Sequence, residues 1–437
     1  TFAKEKAIEE GEVYFQAKQY QRAINSFLPI ANREGWDEDI AMANLRLGQC
    51  YLAIEDLENA RKYFGIATKD KGDIGAQAKL GLALCDIQEE KYDPAIDSLT
   101  SLIEEKPKQD TLAYAYYNRG IAYERKGWLL NAIEDYQEAV TLGIKDEALL
   151  SSARARLITV QAQYEQFQEE EKRYLQRIQG TSKPDALRDL YHELARKCTQ
   201  VGEIDKGIEY EKRSLDYSDD YTYNAGAWMN IAWRYVMKKD YQEAADAFKM
   251  VAYNYPQSEY ASEAALRAGD MLLNAKKPEE AIAAYEEFIA RYPKDPRVAS
   301  AIKNIMGVGW YYAEKKEYEK AADTFKRVAE QYPNSEVAKD ALLRAGDMYS
   351  SAKKPDEAIA VYQAFINKYP NDPYVPSALM SIAWSYSEKK DYLKAAEVFK
   401  RVAEEYPNSE VASEAALRVG DMLRNAQKSD EAIAVYQ

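Results

Sequence analysis

At 437 residues the chain exceeds the roughly 250 to 300 at which one hydrophobic core stops growing, so it is several domains or one extended stack. With 46% hydrophobic and 30% charged residues it is an ordered chain, and a formal charge of -14 without Lys and Arg clusters excludes nucleic acid as the expected partner. No run of 18 or more apolar residues is present to span a bilayer.

From the N-terminus, a helical pair is predicted in GEVYFQAKQYQRAINSF, where Gly11, Tyr14, Ala23 and Phe27 follow one another at intervals of 3, 9 and 4. The next pair repeats them as Gly48, Tyr51, Ala60 and Phe64; a looser third has Ala83 and Ala95 in the small slots; a fourth has Gly120, Tyr123, Ala132 and Tyr136. The small residues belong where two helix backbones approach most closely, and the aromatics fill the space beside them. From Ala148 to Ile178 the composition stays helical but the slots vanish, and Gln179 to Pro184 then breaks the helix. These shifts divide the chain into 1–178, an irregular array; 179–226, a break and degenerate repeat; and 227–437, a regular array.

Beyond Ala227 two kinds of pair alternate. Trp233, Trp310 and Trp384 stand 77 and 74 residues apart, and Gly269, Gly346 and Gly420 keep the same intervals. Second helices end on Tyr-Pro, because proline disfavours helix in the residue before it. Pro278 and Pro355 are expected at helix starts, where a missing N–H costs nothing, and Ser258, Ser335 and Ser409 as helix caps.

A period of 34 to 40 residues made of two helices is the mark of a solenoid. With its small residue, aromatic, alanine and aromatic in register, the chain resembles the tetratricopeptide repeat family. The fold that resemblance implies is an all-α solenoid of about twelve helical pairs. The C-terminal repeats, with their Tyr-Pro-Asn-Ser endings, look like those of the bacterial envelope. They are similar to the Tol-Pal-associated cell-division coordinator and to the repeat lipoproteins of outer-membrane protein assembly. That likeness implies a periplasmic or outer-membrane-associated location, against a cytoplasmic alternative. A membrane anchor upstream of Thr1 is a further expectation.

Catalysis finds little support. His192 is the single histidine, so no triad or multi-histidine metal set can be assembled, and glycines fall singly within helices rather than in phosphate loops. Cys50, Cys85 and Cys198 lie on separate first helices and read as small buried hydrophobes. Acidic runs such as Glu169 to Glu171 read as solvated faces. No cofactor or metal is expected.

The first helices carry the informative pattern. One slot holds Trp233, Trp310 and Trp384 in one kind of pair and Asp270, Asp347 and Asp421 in the other. Met229, Met306 and Met380 stand four residues before each Trp, and Arg267, Arg344 and Arg418 three before each Asp, so each couple shares a helical face. In the resembling family these slots line a groove, which implies a surface for an extended peptide or amphipathic helix, with Tyr114 and Tyr117 facing its N-terminal part. A second arrangement, in which the tryptophans wedge between adjacent first helices, fits the same spacing. The expected function is a non-enzymatic adaptor for other proteins or peptides; the alternatives are a glycan-handling scaffold or a structural subunit of a large assembly.

Overall fold

A computed structural model describes residues 2–436, and side-chain packing from Ala7 onward. Among the described residues the regular structure is entirely helical, and the chain divides into two compact units, Thr1–Ser218 and Asp219–Gln437. The sequence boundaries at 178 and 226 lie on either side of that division.

The first unit opens with four helical pairs. They are α1 (Phe2–Gln16) with α2 (Tyr20–Ala31), α3 (Glu38–Ala53) with α4 (Leu57–Ala67), α5 (Asp73–Gln88) with α6 (Tyr92–Glu104), and α7 (Gln109–Lys126) with α8 (Leu129–Leu142). The slotless stretch is one 33-residue helix, α9 (Glu147–Gln179), followed by the pair α10 (Pro184–Gln200) and α11 (Ile204–Leu215). The second unit is six pairs. Three are α12 (Tyr221–Met237) with α13 (Tyr241–Asn254), α14 (Ala261–Asn274) with α15 (Pro278–Arg291), and α16 (Val298–Glu314) with α17 (Tyr318–Gln331). The others are α18 (Ala338–Ser351) with α19 (Pro355–Lys368), α20 (Val375–Glu388) with α21 (Tyr392–Glu405), and α22 (Ala412–Asn425) with α23 (Ser429–Tyr436). Within each unit consecutive helices pack together, and first helices also touch those of the next pair, as α3 does α5 and α12 does α14.

The slots explain the pairing. A Cβ built on Gly346 would sit 2.6 Å from the Tyr362 ring, and one on Gly48 would sit 2.5 Å from Phe64. Both rings are buried, as are Ala60 and Ala132 in the other small slot, so the helices close onto a ring that has nowhere to retreat. Burying each such ring contributes about 1.5 to 3 kcal/mol, which a lone pair could not accumulate to offset its own ordering.

Pro278 and Pro355 open α15 and α19, and Tyr255, Tyr292, Tyr332, Tyr369 and Tyr406 leave their helices with φ between -121° and -129°. The serines do not cap. Ser258 donates its N–H to the Tyr255 carbonyl within the turn, and α14, α18 and α22 start from Tyr260, Val337 and Val411 with no side-chain cap. Their starting residues already have helical φ and ψ, whereas a capping side chain needs extended backbone.

Candidate partner-binding faces

In the second unit one side-chain formula recurs three times. The indoles of Trp233, Trp310 and Trp384 meet Phe248, Phe325 and Phe399 of their own second helices edge-on, with ring centroids 5.3, 5.1 and 5.2 Å apart. From the next first helix the guanidiniums of Arg267, Arg344 and Arg418 stand over the same indoles at 5.8, 5.4 and 5.0 Å. Such a cation over an exposed ring contributes about 0.5 to 1 kcal/mol. Each arginine also pairs with an aspartate three residues on, at 3.1 Å to Asp270, 3.5 Å to Asp347 and 3.3 Å to Asp421.

The other oxygen of each aspartate accepts from a tyrosine hydroxyl: Tyr285 at 2.7 Å, Tyr362 at 2.7 Å and Tyr436 at 2.8 Å. Burial, then the neighbouring carboxylate, pushes the Tyr285 and Tyr362 phenols upward, so both remain protonated donors. The alternation in the first helix is therefore matched in the second. Trp faces Phe, which has no hydroxyl to satisfy, and Asp faces Tyr, which does. Reading the first helices alone misses this partner set, although the Phe/Tyr alternation is visible sixteen residues beyond each small slot.

Held on two sides, the tryptophans are still 39%, 44% and 40% exposed. Met229, Met306 and Met380, placed with them in the expected stripe, are 6 to 7% exposed and offer no surface. They are core residues, one turn back from each indole. Asp270, Asp347 and Asp421 are half-buried.

In the first unit Tyr114 lines a cavity of about 450 Å³ with Gln49 and Leu52 of α3, Gln77, Leu80 and Leu84 of α5, and Asp110 of α7. Tyr117 does not reach it. It is 5% exposed, tilts against Tyr136 with centroids 5.9 Å apart, and shares a hydrogen bond with Ser152 at 3.2 Å. Ser152 belongs to α9, which covers the position that an ordinary repeat would leave open.

The remaining chemistry is structural. His192 Nδ1 lies 2.7 Å from Oε1 of buried Glu211. Burial pushes the Cys50 thiol up to about 12 and that of Cys85 to about 11, so neither supplies a thiolate. Among the described residues no group of three or more His, Cys, Asp or Glu is placed to hold a metal ion, and no helix is long and apolar enough to cross a membrane.

Residues 296–437 match the family described as a tetratricopeptide repeat-like domain, and residues 8–73 and 113–142 match tetratricopeptide repeat families. Residues 225–312 match the family described as outer membrane lipoprotein. Comparison with curated proteins gives no match. Among solved structures, the TPR domain of P58(IPK) is 17% identical, covering 89% of this chain and 99% of that one, with a TM-score of 0.28. The TPR2AB domain of yeast Sti1, in its complex with pHSP90, is 14% identical over 61% and 95%, also at 0.28. Yeast Tom70 is 12% identical over 89% and 97%, at 0.26. Scores this low carry no argument about partners. The four family matches, falling on the slots that close each helical pair, make this chain a tetratricopeptide repeat protein with C-terminal repeats of the bacterial envelope type.

Proposed function

We propose that the chain is a non-enzymatic scaffold of the bacterial cell envelope that holds a partner protein against the first helices of its second unit, anchored by Trp233, Trp310 and Trp384. The observation that carries this reading is the exposure of three large aromatics, 39 to 44%, each fixed by a ring on one side and a guanidinium on another. An indole already immobilised loses little entropy on binding, and tryptophan dominates interface energetics. The outer membrane lipoprotein match over 225–312 supports a periplasmic or outer-membrane-associated location. The guanidinium beside each indole occupies space in which a sugar ring would stack, which favours a protein over a glycan. The test replaces all three tryptophans by Ala and repeats affinity purification from the native source with the co-eluting proteins identified. Loss of a co-eluting protein at unchanged helicity is expected; the same proteins at the same yield would overturn the reading. Unchanged tryptophan fluorescence on adding soluble polysaccharide is the accompanying expectation.

A further inference from the structure

The first unit holds a cavity that the tryptophan reading does not use. It is floored by Leu52, Leu80 and Leu84, with Tyr114 at α7 and the Phe64 ring of α4 beside it. A Cβ on Gly81 would meet that ring at 2.4 Å, so α5 closes on α4 only because this position has no side chain, and the same absence leaves the floor open. A cavity of about 150 Å³ holds benzene, so about 450 Å³ has room for more than one apolar side chain.

The rim is polar in a definite way. Arg46 can only donate, and it donates to Gln49 Oε1 at 2.8 Å, which leaves the Gln49 amide nitrogen as a donor. Ionised Asp73 only accepts, and it takes the Gln77 amide nitrogen at 2.9 Å, which leaves the Gln77 carbonyl as an acceptor. One donor and one acceptor on neighbouring first helices are what a single peptide group requires. Two charged residues line the cavity, Asp110 and Lys145, and they pair with each other, so the floor carries no net charge. Around it the unit is acidic: residues 1–218 hold 30 Lys and Arg against 39 Asp and Glu.

We propose that this cavity is a second docking site, taking a basic polypeptide segment whose uncharged apolar side chain enters between Leu80, Leu84 and Tyr114. Its backbone is read by Gln49 and Gln77, and its flanking Lys or Arg residues answer the acidic field of the unit. The occupant differs in chemistry from one held by the tryptophan face, so a chain with both sites joins two partners. This site does not depend on the tryptophan reading.

The test selects a phage-displayed random dodecapeptide library on the full chain and measures the enriched peptides by fluorescence anisotropy. Enriched sequences are expected to carry Leu, Ile or Phe flanked by Lys or Arg. They should bind Leu84→Asp and Tyr114→Ala about tenfold more weakly or worse, as for loss of an interface anchor. They should bind the triple tryptophan variant as tightly as the parent. Tyr114 is half-buried at the mouth, so its variant keeps the test open if Leu84→Asp fails to fold. The proposal is overturned by no enrichment over an unrelated helical protein, by peptides lacking the apolar anchor or basic flanks, by undiminished binding to a folded pocket variant, or by binding lost in the tryptophan variant.

Discussion

The two units join their helical pairs by different means. In Asp219–Gln437 one set of contacts, Phe under Trp, Arg over Trp, Asp on Arg and Tyr on Asp, is used three times. In Thr1–Ser218 the comparable contacts each occur once. Arg119 forks onto Asp135 at 2.8 and 2.7 Å, Arg156 reaches Glu124 at 2.8 Å, and Tyr210 donates to Glu171 on α9 at 3.0 Å. The turn between α7 and α8 even shares a backbone bond with the turn after α10, from Leu129 N–H to the Val201 carbonyl at 3.0 Å. There Gly127 has φ +79° and a Cβ on it would meet the Gln200 carbonyl oxygen at 2.7 Å, so glycine is needed twice over. A stack of repeats gains stability as a sum over neighbours. Spread over three equal clusters, that sum tolerates a single loss; concentrated in unique contacts, it does not.

The sharpest break in that comparison is Asp135→Ala. The carboxylate side chain is 4% exposed and its arginine 15%, so the change strands a buried guanidinium and should cost about 3 to 5 kcal/mol. Calorimetry should show the first unit melting early with the second unmoved. Gly346→Leu is the counterpart in the second unit, pressing on the buried Tyr362 ring for a loss of about 1 to 3 kcal/mol. An unchanged melting curve would mean that the slot is not a close approach.

Smaller still is Tyr285→Phe, which removes one hydroxyl from Asp270. The aspartate keeps Arg267 and Asn304, the latter at 3.1 Å, so a loss of about 1 kcal/mol is expected in chemical denaturation. Lys353→Gly should stabilise. Lys353 has φ +56°, a conformation costing non-glycine residues about 1 to 2 kcal/mol, part of which glycine returns as unfolded-chain entropy, leaving a gain of a few tenths.

Acid distinguishes the inter-pair loops. Hydrogen bonds from Arg297 hold the Asp295 carboxyl well below the usual carboxylate range. A depressed folded value stabilises above the unfolded one, about 3.9, and that contribution is lost as pH falls below it. Below about pH 4 the parent should therefore lose more stability than Asp295→Asn, as followed by circular dichroism.

Most of the fold was legible because its determinants lie at fixed short intervals: the small slots, their rings, and the tyrosines that end second helices. The pairing of Arg with Asp was legible for the same reason, being three residues apart on one helix. What escaped depended on neighbours outside the repeat. Tyr117 is sealed by Ser152 of α9, a helix with no slots from which to foresee it. Ser258, Ser335 and Ser409 look like caps by composition, but the chain enters the helix two residues later through backbone that is already helical. The Gln49 and Gln77 rim arises where α5 departs from the slot spacing, so the cavity between them has no period to announce it.

The coupling of Trp with Phe and Asp with Tyr sets a grammar for how such a chain can lengthen. Inserting one hairpin alone would bring like against like, a guanidinium arriving over an aspartate already matched, or an indole left without its cation. Growth or shrinkage of the second unit should therefore proceed in steps of two hairpins, the 74 to 77 residues that separate its tryptophans.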